Sequence, residues 1–251
     1  MSTIRPSTLA MLDPCVGISS DRGKSAKPNQ DRARAFVGRG GEGTVLVLAD
    51  GMGGHAAGEI ASDIATTTIV EAFETRGFTD PQRVLEEAFA EVNLAIIRDA
   101  QTSEERKGMG TTLVTVVLCQ NQLFYAHVGD SRATLFRGDY CRRLTKDHLR
   151  IVETDNFPEN KAKGHPRSNI LSRAMGIREV VEPSFGTIAA EEGDRILLCS
   201  DGISEFVHED ELAEFLFTKE PATAAETVTK RAIAQGSHDH CTAVVGRIIK
   251  F

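Results

Sequence analysis

The chain has 251 residues, 41% of them apolar, a formal net charge of −7, five cysteines, two tyrosines and no tryptophan. That apolar content suffices for a substantial core, while the acidic balance and the scarcity of stacking rings exclude a general nucleic-acid binder, which needs a basic stripe. No apolar run reaches transmembrane length, and MSTIRPSTLAMLDPC has one early arginine but no continuous apolar segment, so a soluble, cytoplasmic chain with no signal peptide and no membrane partner is expected.

Residues 1–14 contain Pro6 and Pro14, lack periodicity and read as a flexible tail. Short β-type segments follow at about 15–19 and 34–37, then VLVLAD at 45–50. From Ala57 to about Arg76 the pattern turns helical, with Ile60, Ile64, Ile69 or Val70, and Phe73 spaced for one buried face. A second helix opens with Asp80 as its cap and Pro81 at its first position. Its expected apolar stripe is Val84, Leu85, Ala88, Phe89, Val92, Leu94 and Ile96. TTLVTVVLC (111–119), a polar turn at Gln120–Gln122, LFYAHV (123–128), RATLFR (132–137) and CRRL (141–144) read as an antiparallel meander. Residues 145–168 are polar with two prolines and predict a surface excursion. RILLCSD (195–201) reads as a buried strand, 208–217 and 222–235 as helices, and CTAVVGRIIK (241–250) as the closing strand. Segregated blocks of strands and helices predict an α+β fold of antiparallel sheets covered by helices, in one domain over 15–251.

The five cysteines include no CxxC pair, so reduced thiols at or beside strands are expected rather than a zinc knuckle. Carboxylates carry the chemistry instead. Asp50 closes VLVLAD, Asp130 follows LFYAHVG, Asp201 closes ILLCSD, and Asp239 precedes CTAVV. Each stands where an apolar strand meets a flexible turn, so the four can converge on one rim of a sheet. Mg²⁺ and Mn²⁺ take oxygen ligands of this kind. The glycines of LADGMGGH raise the rival idea of a phosphate cradle. That idea fails, because the segment has neither the lysine of GxxxxGK[ST] nor a full GxGxxG.

The ordered set SDRG (20–23), NQD (29–31), LADGMGGHAAGE (48–59), GMGTT (108–112), VGDSR (128–132), LTKDH (144–148), LLCSDG (197–202) and Asp239 resembles the bacterial branch of the PPM/PP2C family of metal-dependent Ser/Thr protein phosphatases, over about residues 15–249. The resemblance implies a central β-sandwich of two antiparallel sheets flanked by helices, with the metal centre at one end. It makes Asp50 the bridge between two Mg²⁺ or Mn²⁺ ions, puts the Gly51 carbonyl on one, and completes the other with Asp201 and Asp239. Asp130, with Asp201, matches the site of a third, weaker metal, and Asp31 the group that orients metal-bound water. The implied reaction is hydrolysis of phosphoserine and phosphothreonine in proteins by a metal-activated water, with no phosphoenzyme. A monomer that opposes a bacterial Ser/Thr kinase and acts on its targets is expected. The alternative is a phosphoprotein-binding pseudophosphatase with little turnover.

That alternative is motivated by departures from the family pattern. Where relatives read R-x-x-N-[EQ]-D, this chain has Ala26 in place of the phosphate-gripping arginine. Arg22, Lys24 and Lys27 are the candidate replacements, though none offers a guanidinium fork from the same position. His240 stands where asparagine is usual and is a candidate support for Asp239 rather than a direct ligand. His55 is a candidate near-site or helix-start residue; the family's candidate acid falls at Met52, so its role does not transfer. His127 reads as structural. The segment at about 147–168 matches the family's substrate-selecting flap, shortened.

Overall fold

The computed structural model describes residues 16–25, 28–53, 57–153 and 167–249, and at 151–153 and 167–169 the backbone alone. The expected tail (1–14), Cys15, Ala26, Lys27, His55 and the middle of the expected flap (154–166) lie outside the described residues.

Two sheets face each other. One runs in the order β1 (Val16–Asp21), β13 (Cys241–Arg247), β12 (Arg195–Cys199), β7 (Arg132–Arg137), β8 (Tyr140–Arg143). The other runs β11 (Ser184–Ala189), β6 (Gln122–Val128), β5 (Leu113–Cys119), β3 (Thr44–Met52), β2 (Asp31–Val37), with the short β4 (Gly110–Thr111) on the end of β3. Every pairing within them is antiparallel, as expected. Helices α1 (Ala57–Arg76) and α2 (Pro81–Ala100) cover the second sheet; α3 (Asp201–Ser204), α4 (Glu209–Thr218) and α5 (Pro221–Ala234) cover the first.

The unbroken apolar runs are explained by burial on both strand faces. In β3, Leu46 and Leu48 point into the sandwich, while Val45, Val47 and Ala49 meet α1 and α2. Ile196 and Leu198 of β12 likewise point inward, while Leu197 and Cys199 meet the helices of the other side. Cys119, Cys199 and Cys241 are buried free thiols and Cys141 is half-buried, in keeping with the expectation of reduced cysteines.

Several elements depart from the reading of the sequence. The meander is divided: β5 pairs with β6 in one sheet, β7 with β8 in the other, and the chain crosses at Gly129–Asp130. Alternation alone does not say which sheet a strand joins. The buried face of α1 is Ala61, Ala65, Ile69, Ala72 and Phe73 with Ser62 and Thr66, while Ile60, Ile64 and Val70 are half-buried at its edges. Small side chains let this helix lie close to β3. Leu94 is 45% exposed and Asn93 is buried in its stead; its amide donates to the Arg178 and Glu179 carbonyls and its oxygen accepts from Gly176 N–H. Asp80 caps α2 as expected, accepting from the Arg83 N–H at 3.2 Å. The expected surface excursion carries a hairpin, β9 (Leu149–Glu153) against β10 (Arg167–Leu171). The edge strand β11, half-exposed along its length, left no clear pattern in the sequence.

Candidate metal centre

Asp31 and Asp50 are direct cross-strand partners on β2 and β3, so their carboxylates leave the sheet side by side. Asp50 does not end its strand as expected, because Gly51 and Met52 continue β3 by pairing with β4. Its backbone is held on both sides. The Asp50 N–H donates to Thr112 Oγ1 at 2.9 Å, and the Asp50 carbonyl accepts from Thr112 N and Thr111 Oγ1, each at 2.9 Å. Thr112 Oγ1 in turn shares a 2.7 Å hydrogen bond with Ser131 Oγ. Gly51 packs against Gly58 at the start of α1: a Cβ on Gly51 would stand 2.0 Å from the Gly58 carbonyl oxygen. The Gly51 N–H donates to the Gln30 carbonyl, which also accepts from Ser62 Oγ at 2.6 Å. On the Asp31 side, Asn29 Oδ1 accepts from the Asp31 N–H and its amide reaches Ser20 Oγ, tying the NQD segment to β1.

The other sheet brings its aspartates to the same end. β12 and β13 are neighbours, and Ser200 and Thr242 join their ends through Ser200 N–H to Thr242 O (3.1 Å) and Thr242 N–H to Ser200 Oγ (3.0 Å). Asp201 follows as the first residue of the short helix α3, a turn of helix where a strand end was expected, and Asp239 lies just before β13. Asp130 occupies the crossing between sheets. Next to it Arg132 forks onto Asp147 (2.9 Å at the shorter arm) and donates to the Ser204 carbonyl.

Electrostatics bind these carboxylates into one cluster. Asp50 is pushed well above the ordinary carboxylate range by burial, and further by the charges of Asp31, Asp201 and Asp239. Asp201 is pushed up to about 7 by burial, then by Asp130, Asp239, Glu205 and Asp31. Asp130 is raised by burial, with Asp147 and Glu205 adding and Arg132 opposing. Burial likewise raises Asp31. Both Asp31 carboxylate oxygens and Asp201 Oδ1 are buried without a hydrogen bond of good geometry among the described residues, though the Thr242 and Ser200 side chains stand close enough to Asp31 to ease its charge. Unpaired buried carboxylates that repel one another are costly, and a hard divalent cation relieves both the repulsion and the missing bonds. The donor set therefore fits Mg²⁺ or Mn²⁺. Asp239 is 61% exposed along its side chain, so the cluster opens to solvent on that side.

The remaining candidates separate. Arg22 and Lys24 are exposed on the loop after β1, and Gly23 between them packs on Asp239, where a Cβ would stand 2.3 Å from the carbonyl oxygen. The backbone between these two cations thus lies against that of Asp239. His240 is buried, its donor atom within 4.8 Å of those of Asp31 and Asp50. His127, read as structural, stacks on His148 at 4.5 Å and bonds the Lys146 carbonyl at 2.8 Å through Nε2. Sequence reasoning gave no role to Glu205, Thr112, Ser131 or the Arg132–Asp147 pair. GMGTT, VGDSR and LTKDH marked the last three groups only as motif letters, and Glu205 had no signal beyond following Asp201 by four residues.

The model of the family described as Protein phosphatase 2C matches residues 20–235. A relative named Serine/threonine phosphatase stp, from Listeria innocua, is 36% identical over 234 residues, 90% of this chain and 92% of that one. Protein phosphatase PhpP of Streptococcus pneumoniae is 34% identical over 233 residues, 90% and 94% of the two chains. The crystal structure of the Mycobacterium tuberculosis serine/threonine phosphatase PstP/Ppp superposes with a TM-score of 0.80 at 33% identity, covering 94% of this chain and 98% of that one. A structure of the PstP catalytic domain in complex with two manganese ions superposes with a TM-score of 0.77 at 31% identity, with the same coverage. With its ordered motifs, helix-flanked antiparallel sandwich and convergent aspartates, this chain belongs to the protein phosphatase 2C family.

Proposed function

We propose that this chain hydrolyses the phosphate esters of phosphoserine and phosphothreonine in proteins, opposing a Ser/Thr kinase in the cytoplasm as a monomer. One observation carries the reading: aspartates from both sheets share one end of the sandwich, and three of their buried oxygens lack a hydrogen bond of good geometry among the described residues. Two divalent ions, Mg²⁺ or Mn²⁺, supply Lewis acidity and a water of lowered pKa when bound there.

The chain's own groups do the holding and aiming. Asp50, the Gly51 carbonyl, Asp201 and Asp239 would hold the two ions, and Asp130 with Asp201 a third, weaker one. Asp31 would orient the water that the ions activate. Arg22 and Lys24, on the loop that packs on Asp239 at Gly23, draw in the substrate phosphate, with Lys27 a further candidate cation and His55 a candidate near-site or helix-start residue. Residues 15–251 act as one domain, the segment 147–168 as its substrate-selecting flap and 1–14 as a tail. No helix among the described residues is long and apolar enough to cross a membrane. The alternative of a binding protein with little turnover finds no support, since the acidic set is complete and the relatives bear phosphatase names.

Phosphate release from a phosphothreonine peptide tests the reading. EDTA should abolish it, Mn²⁺ restore it, and Asp50→Asn or Asp201→Asn remove it. Persistent turnover in Asp50→Asn would sink the assignment of that residue. Ala26→Arg should lower KM if the missing arginine limits phosphate binding.

A further inference from the structure

We propose that His240 contributes a ring nitrogen to the metal centre and thereby selects first-row transition ions over Mg²⁺. The inference rests on the metal reading above and adds a donor that the aspartate pattern does not contain.

Three features of the structure point the same way. The backbone at His240 is pinned: its N–H donates to Asp239 Oδ1 at 2.8 Å and its carbonyl accepts from Ser200 Oγ at 3.3 Å. That fixes the direction in which the side chain leaves. The side chain is only 6% exposed, and Nε2 is buried with no hydrogen-bond partner among the described residues. An imidazole nitrogen removed from water and left unpaired costs free energy comparable to a lost hydrogen bond, so an occupant for its lone pair is the economical explanation. Finally, one His240 nitrogen and one oxygen each from Asp31 and Asp50 lie within 4.8 Å of one another. A single ion between them would need only small side-chain adjustments to touch all three.

A purely electrostatic role fits less well. Nδ1 stands 3.7 Å from Asp239 Oδ1, within ion-pair range but beyond hydrogen-bond length, so that carboxylate does not satisfy the ring by a hydrogen bond and leaves Nε2 unpaired. The chemistry of the donor then sets the preference. Mg²⁺ demands near-ideal octahedral oxygen coordination and parts reluctantly with its waters, whereas affinity for an imidazole donor grows along the first transition row, least at Mn²⁺ and greater at Fe²⁺ and Co²⁺.

The test uses the full-length protein loaded with Mn²⁺, read by pulsed EPR for nitrogen coupling to the ion, together with dissociation constants for Mn²⁺, Co²⁺ and Mg²⁺ by calorimetry. The expected result is a nitrogen modulation that changes on ¹⁵N-histidine labelling and disappears in His240→Asn. In that variant the Co²⁺ dissociation constant should rise on the order of tenfold and that of Mn²⁺ by less, while that of Mg²⁺ stays nearly constant. The labelling arm needs no variant, so it stands even if His240→Asn folds poorly. Mn²⁺ binding without histidine nitrogen coupling, or with coupling that survives in His240→Asn, would overturn the inference alone. An equal loss of Mg²⁺ and Co²⁺ affinity would do the same. Failure of the wild-type chain to bind any of the three ions would overturn the metal reading itself, and the inference with it.

Discussion

Replacing Gly51 with alanine sets a single methyl group between β3 and α1. The new Cβ would lie 2.0 Å from the Gly58 carbonyl oxygen, 2.4 Å from its carbon and 2.7 Å from the Gln30 carbonyl oxygen. Ordinary contact begins at 3.4 Å, so the shortfall is about 1.4 Å, and it falls on backbone rather than on a flexible side-chain end. Strand and helix must part to admit it. Overpacking costs ~1–3 kcal/mol, and rigid neighbours put this case near ~3 kcal/mol. At ~2–4 °C per kcal/mol for a chain of this size, Tm should fall by ~6–12 °C. Turnover should suffer separately, since the neighbouring Asp50 moves with the strand and a ~1 Å misplacement of a reacting group can cost ~10²-fold. Gly58→Ala makes a milder comparison: its Cβ would meet the Gly51 carbonyl carbon at 2.7 Å. It also recovers up to ~1 kcal/mol of helix propensity. Thermal unfolding of EDTA-treated protein, paired with Mn²⁺ titration of phosphopeptide hydrolysis, reads both effects. A Gly51→Ala protein with a Tm within about 2 °C of wild type and an unchanged Mn²⁺ titration would refute the close-approach argument.

Thr112→Val keeps the shape but removes the hydroxyl that serves Asp50 N–H and Ser131 Oγ. Stability in urea should drop by ~1–3 kcal/mol, with Thr112→Ser restoring most of it; an unaltered midpoint for the valine variant would contradict the role. His148 is pushed down to about 4 by burial, with His127 and Arg173 adding to the effect, so the folded state keeps it neutral. Its Nδ1 accepts from Gly129 N–H and its Nε2 bonds Ser184 Oγ. A neutral imidazole of this kind contributes fully above its ordinary pKa of ~6.5, and the contribution is lost as pH falls from there through about 4. Urea unfolding of His148→Gln should accordingly show a shallower decline in stability between about pH 6.5 and about pH 4.5 than wild type, and parallel declines would count against it.

Much of this protein is legible along the chain. VLVLAD and RILLCSD announce strands buried on two faces, because an unbroken apolar run of that length leaves neither face for water. Asp80 followed by proline announces the start of α2, because both residues act on their immediate neighbours. The aspartates were legible for the same reason: three close or follow an apolar run and Asp239 precedes one, and turn chemistry is local. Where the chain failed as a guide, the deciding partner was distant in sequence. Whether RATLFR extends the LFYAHV sheet or starts its counterpart depends on β12, some sixty residues later, which offers β7 its edge. Whether isoleucines or alanines face the sheet from α1 depends on how near β3 comes, and the contact of Gly51 with Gly58 sets that distance. Asn93 is buried because a loop more than eighty residues on presents carbonyls to it.

The same division holds at the site. The sequence by itself determined which carboxylates the chain carries and that each lies in or beside an apolar strand. Only the tertiary structure decided that Asp31 stands opposite Asp50, that Glu205 and Asp147 add to the field around Asp130, and that His240 lies buried against the pair. Residue identity and local spacing are properties of a short stretch of chain. Mutual repulsion, desolvation and an unpaired nitrogen exist only once distant stretches have been packed together and water has been driven out from between them.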